Sequence, residues 1–191
     1  MNTPTHLLIS IALLAKPDAP RRNMAVIFGA LIPDLSIYVL FVWAKLVAQV
    51  PEQEIWRHLY WQEPWQTLSG LSNSFPLYAM LVALGVWRGW TLLAIFGASA
   101  LLHLAFDFPF HASDAHRHFW PFSDWRFHSP LSYWDGGHYG ELVGIFELAM
   151  AIALMAIIFR RFKEVWVKVA LAIGLVSYAA VPLYFMLAHH G

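Results

Sequence analysis

No cysteine occurs among the 191 residues, so neither a disulfide nor a thiolate-bound metal can form in this chain. Charge is scarce as well: Asp, Glu, Lys and Arg make up 13% of the sequence against 59% hydrophobic residues, and the mean hydropathy is +0.54. A soluble domain carries roughly 25% charged residues, so the missing charge marks surface that faces lipid rather than water. Basic excess is absent too. The formal net charge is zero and the lysines and arginines are scattered, which removes the electrostatic footprint of a nucleic-acid binder. There is no GxSxG elbow and no Cys/His pair to carry nucleophilic hydrolysis. No internal repeat or domain linker divides the chain, which reads as a single integral membrane domain over residues 1–191. The apolar run after Met1 lacks the basic flank and small-x-small cleavage pattern of a signal peptide and is expected to be retained.

What the chain has in quantity is apolar helix. Thr3-Pro4 reads as an N-cap threonine followed by proline in the first turn, opening a helix to about Lys16. At 1.5 Å per residue that helix is about 20 Å long, too short for a hydrocarbon core of roughly 30 Å, so it enters the membrane without crossing. Asn23–Val47, Ser74–Trp87, Trp90–Phe106, Leu142–Phe159 and Val169–Leu187 follow as about five long spans. Gly97-Ala98-Ser99-Ala100 offers small residues for close helix contact. Between them, residues 51–73 are rich in tryptophan (Trp56, Trp61, Trp65) and read as short amphipathic helices at headgroup level. The predicted fold is therefore all-α and polytopic, with a long aromatic and histidine-rich loop from Asp107 to His138.

Alternating the spans gathers Lys16, Arg21, Arg22, Arg88, Arg160, Arg161, Lys163 and Lys168 on one side and every histidine on the other. The positive-inside rule makes the basic side cytoplasmic. In a bacterium this is an inner-membrane protein whose histidine-rich face opens to the periplasm.

The chemistry concentrates in His103–His118, HLAFDFPFHASDAHRH. His103 and Asp107 lie four apart, on one helical face, and His111 continues that spacing although Pro109 should break or kink the helix. Asp114, His116 and His118 come next. Counting inward from the basic side, His6, Asp34, Ser74, His103 and Glu147 all fall about 15–23 Å from that interface at 1.5 Å per residue. Five helices thus deliver polar groups to one layer, where ionisable residues need partners. Imidazole and carboxylate suit a divalent ion, zinc foremost, with manganese and iron as alternatives. His6, Asp34, His103 and Asp107 are the expected ligands. Glu147 can be a ligand, a general base or a structural glutamate, and the whole layer can also be a histidine–carboxylate network without metal. His128, His138, His189 and His190 read as surface residues, and Trp120, Trp125 and Trp134 as an aromatic belt.

Thr5-His6, Gly29-Ala30-Leu31-Ile32-Pro33-Asp34-Leu35, and Leu102-His103 through Asp107 with Pro121-Phe122 in the following loop stand in the order of a known family. In these pieces the chain resembles the YdjM-like family of bacterial inner-membrane proteins, over most of its length. The resemblance implies a multi-span helical protein and a metal-dependent hydrolase. One segment departs from it. Ser72-Asn73-Ser74-Phe75 puts Asn73 where the family usually has histidine. Either that histidine's role passes to His111, His116 or His118, or catalysis is lost.

The resulting expectation is a membrane-embedded metal-dependent hydrolase acting through a metal-bound water near the outer face. Glu147 and His111 are the expected catalytic proton carriers, and His116 and His118 hold a second ion or move protons. Arg117 and Arg126 are placed to bind the anionic part of a lipid-linked or head-group phosphoester or amide, guanidinium being suited to phosphate. Membrane lipids are the expected surroundings. The alternative is a metal-binding membrane protein without turnover, a transporter or an assembly or regulatory subunit. A transport path would need polar groups across the whole span, and the cytoplasmic halves of these helices are almost wholly apolar.

Overall fold

The computed structural model describes the backbone of residues 1–189 and the side chains of residues 1–176 together with Tyr178. Every regular element among the described residues is helical: α1 (Thr3–Leu14), α2 (Pro20–Val42), a short α3 (Glu52–Glu54), α4 (Glu63–Ser72), α5 (Phe75–Arg88), α6 (Thr91–Asp107), α7 (Gly140–Arg161) and α8 (Val165–His189). A π-helical turn, Trp43–Val47, prolongs α2, and another, Ile55–Leu59, follows α3.

Four stretches are long and apolar enough to cross a membrane: 20–47, 63–88, 91–110 and 140–161. Their outward faces carry Leu46, Val86, Trp87, Leu142 and Ile145, each two-thirds exposed or more. Such a continuous apolar surface is foreign to a water-soluble monomer. The short Thr3–Leu14 helix matches expectation, except that Asn2 is the N-cap residue and Thr3 opens the helix. The Thr3 hydroxyl turns to Asp34 and Tyr38 instead. Of the expected fifth span, the stretch Val165–Val176 is apolar, and most side chains beyond it, His189 and His190 included, lie outside the described residues.

α6 is the central helix, packed against α1, α2 and α5, while α1 also touches α7, and α7 carries α8. Small residues set the spacing. A Cβ at Gly29 of α2 would run into the Phe96 carbonyl oxygen and lie 2.8 Å from the Ser99 Cβ. At Gly97 it would lie 2.9 Å from Val82 of α5. The Ser99 hydroxyl donates to the Val26 carbonyl at 2.6 Å, so the α2–α6 contact includes a buried interhelical hydrogen bond. The expected close contact at 97–100 is therefore present on two sides of α6.

The basic end is one physical end. Arg22 Nε donates to the Leu14 carbonyl and Arg161 Nη1 to the Ala12 carbonyl, both at 2.7 Å, covering carbonyls that the last turn of α1 leaves unpaired. The polar layer lies at the other end of α1, around His6.

Gly29→Val is expected to destabilise the protein by about 1–3 kcal/mol through overpacking, whereas Gly144→Ala, where a Cβ meets nothing within 4 Å, should be neutral or slightly stabilising. Thermal unfolding in detergent checks both; equal melting temperatures would contradict the close α2–α6 packing.

Candidate metal centre

α6 presents His103 and Asp107 one turn apart on the face that meets α1 and α2, and both are almost fully buried. α1 brings His6, whose ring stacks on His103 with centroids 3.6 Å apart and planes 12° from parallel. His6 Nε2 lies 3.1 Å from Asp107 Oδ1, and the Met1 α-amino group donates to the same oxygen. One ligand atom from each of His6, His103 and Asp107 fits within a 4.8 Å cluster.

The hydrogen bonding of His103 fixes its tautomer. Its Nδ1 is 2.7 Å from the Ala30 carbonyl, which can only accept, so Nδ1 carries the hydrogen. The buried Nε2 has no hydrogen-bond partner and faces Asp34 Oδ1 across 3.4 Å. In the neutral imidazole that is a lone pair opposite a carboxylate, and only a shared cation or a proton makes the pair favourable. An imidazole whose second nitrogen donates to a backbone carbonyl is the usual posture of a metal-bound histidine. Asp34 itself stands beside the three-residue cluster, held by the Thr3 hydroxyl, and is the less deeply buried carboxylate of the layer.

A second cluster adjoins the first. α6 ends at Asp107, but Phe108–Phe110 continues as a 3-10 turn, so Pro109 tightens the helix without turning His111 away. His111 Nε2 lies 2.7 Å from Asp107 Oδ2, and its Nδ1 lies 2.9 Å from Asp114 Oδ2. Asp107, His111 and His116 again offer three ligand atoms within 4.8 Å, all buried. His116 Nδ1 is engaged by the Ser69 hydroxyl at 3.2 Å and the Tyr60 hydroxyl at 3.4 Å. His118 Nδ1 donates to the Asn73 carbonyl at 3.0 Å. Asn73 is buried and donates its amide to the Pro33 and Ser69 carbonyls.

Charge divides these loop histidines. Burial, followed by the positive His111 beside it, lowers His116 to about 3. Burial lowers His118 to about 4. Both are neutral at pH 7, the form that binds metal. Burial also opposes charge on His111, but Asp107, with Asp114 behind it, outweighs burial and raises His111 to about 9.

Other expected site residues lie elsewhere. Glu147 is buried and accepts from the Asn2 backbone N–H at 2.8 Å, the Asn2 amide at 3.0 Å and the Thr5 hydroxyl, so it pins the first turn of α1 to α7. It belongs to neither cluster. Arg117 forms a bidentate pair with Glu63 at 2.8 and 2.9 Å and lies 3.3 Å from Asp124. Arg126 donates to the Ala115 carbonyl and to Gln66 Oε1. Both guanidinia fasten the loop down. Ser74 caps α5 by accepting from the Leu77 N–H and donates to the Trp120 carbonyl. Tyr60, Ser69 and Asp114 complete the surroundings of the second cluster. Only Asp114, three residues from His111, carried a signal of this in the sequence.

Comparison of the chain with protein-family models, with curated proteins and with solved structures finds no match.

Because the folded pKa of His111 lies above its ordinary 6.5, its ion pairs stabilise the metal-free fold fully below pH 6.5 and lose that effect as pH rises through about 9. In chelator-treated protein the stability gap between wild type and His111→Gln should therefore shrink between pH 6.5 and pH 10. A gap independent of pH, measured by thermal unfolding, would contradict a charged His111.

Proposed function

We propose that the protein is a membrane-embedded metal-dependent hydrolase of the YdjM-like kind, with its centre towards the periplasmic face of a bacterial inner membrane. The observation that carries this reading is the buried, stacked His6–His103 pair with Asp107 alongside and His103 Nε2 left without a hydrogen-bond partner. Two buried imidazoles stacked against each other beside a carboxylate gain little as an apolar core, since such groups require partners. As a ligand set they suit a divalent ion, and the nitrogen and oxygen donors favour zinc.

A bound divalent ion would supply a Lewis acid and lower the pKa of a coordinated water to about 7. The chain's own residues do the rest. Ala30 orients His103 through Nδ1, and the clamp of Glu147 on Asn2 and Thr5 holds α1 so that His6 meets Asp107. Asp34, held by Thr3 and facing His103 Nε2, stands where it can accept a proton. His118 is kept neutral by burial, and its Nδ1 is taken up by the Asn73 carbonyl. Arg117 and Arg126 are committed to Glu63, Gln66 and the Ala115 carbonyl, so neither is placed to hold a phosphoester or amide oxygen.

The test is metal content and turnover of detergent-purified protein. Wild type should hold zinc stoichiometrically and hydrolyse bis(p-nitrophenyl) phosphate or a p-nitroanilide; chelation should stop turnover, and Asp107→Asn should lower it at least about 100-fold. Asp34→Asn should keep the metal while losing rate. Stoichiometric metal with no turnover of either probe would replace this reading by the non-catalytic one, and absence of metal would end both.

A further inference from the structure

The two clusters share one carboxylate, and its two oxygens point to different partners. Asp107 Oδ1 faces His6 Nε2 at 3.1 Å, and Oδ2 faces His111 Nε2 at 2.7 Å. The remaining donor of the first cluster is His103 and that of the second is His116, the three ligand atoms of each cluster lying within 4.8 Å of one another. A carboxylate with nitrogen donors gathered at each oxygen has the form of a bridge between two ions.

Charge points the same way. Asp34, Asp107 and Asp114 bring three carboxylates to the double cluster, and burial of that much negative charge requires cations. Unpartnered buried atoms remain on both sides: His103 Nε2 on the first and Asp114 Oδ1 on the second. A single ion at the first cluster would leave the Asp114 oxygen as it is.

We infer that the centre binds two divalent ions bridged by Asp107, the first on His6 and His103 and the second on His111 and His116, with Asp114 adjoining the second. This rests on the ion-binding reading of the first cluster. Ions bridged in this way sit about 3.5–4 Å apart and act together on one phosphoester. A phosphate ester is one substrate class that suits such a pair, since its attacking and leaving oxygens can each face an ion.

Manganese is the probe. Detergent-purified full-length protein, stripped with chelator and reloaded with Mn2+, should hold two ions per chain by elemental analysis and give an exchange-coupled electron paramagnetic resonance spectrum. His116→Gln should hold one ion and give the six-line spectrum of isolated Mn2+. Asp107→Asn should lose the coupling altogether. Wild type and its spectrum decide the matter even where a variant fails to fold. One ion per chain with a six-line spectrum in wild type would overturn the bridged pair and leave the single-ion reading standing. No bound ion in wild type would overturn both.

Discussion

Asp107 is the constraint around which the rest of the molecule is arranged. A carboxylate 2% exposed among apolar helices is tolerable only if every side of it finds positive charge or a donor. It finds them on two separate pieces of chain: the Met1 amine and His6 at the start of α1, and His111 beyond the end of α6. Those contacts draw the amino terminus down onto α6 and fold the long loop back over it. Glu147 performs the matching task from α7, fixing Asn2 and Thr5 so that the next residue, His6, faces inwards. The buried polar layer thus stitches together segments that apolar packing alone would leave free to slide.

Depth is set by the apolar part. Helices in lipid gain nothing by hiding apolar faces from one another, so close packing of small residues and a few interhelical hydrogen bonds decide their register. Gly29 against Phe96, with Ser99 bonded to Val26, brings α2 within reach of α6 just below the polar layer. One turn higher, that same closeness places the Ala30 carbonyl on His103 Nδ1, and another turn on Asp34 meets His103 Nε2. The donor geometry of His103 is therefore a consequence of two residues with little or no side chain. A larger residue at 29 would separate the helices and release the ring.

The helices and the layer were legible in the sequence because both follow from simple rules: apolar length, and a rise of 1.5 Å per residue counted from the basic ends. His6 and His103 met as that count implied, with Asp107 joining them through its spacing of four from His103. What periodicity could not supply was the path of residues 111–138. Pro109 suggested a break, yet a 3-10 turn carries the chain on to His111 in register with Asp107. Nothing local in Tyr60 or Ser69 announces that they flank His116, since that contact depends on the loop folding back onto α4. The arginines illustrate the same limit. Guanidinium suits a phosphate and a loop fastener equally well, and only the positions of Glu63, Gln66 and the Ala115 carbonyl decide between them.

The loop's aromatic residues then acquire a physical purpose. Phe75, Phe108, Phe119, Trp125 and Phe127 form a run of ring contacts, from Phe108 stacked on Phe127 at 4.9 Å to Phe75 tilted on Phe119 at 6.1 Å, and His118 lies against both Phe75 and Phe108. This packing covers His118, which is 3% exposed, on the loop side of the layer. In the resulting low-dielectric pocket, burial lowers His116 and His118 to neutral form while Asp107 and Asp114 keep His111 charged. Neighbouring imidazoles of one chemical type are thereby given different charge states by their surroundings, although the His111 and His116 centroids lie only 4.7 Å apart, and those of His116 and His118 5.7 Å. The aromatic run and the charge state of His118 are thus linked, because the ring packs against Phe75 and Phe108 and burial is what holds it neutral.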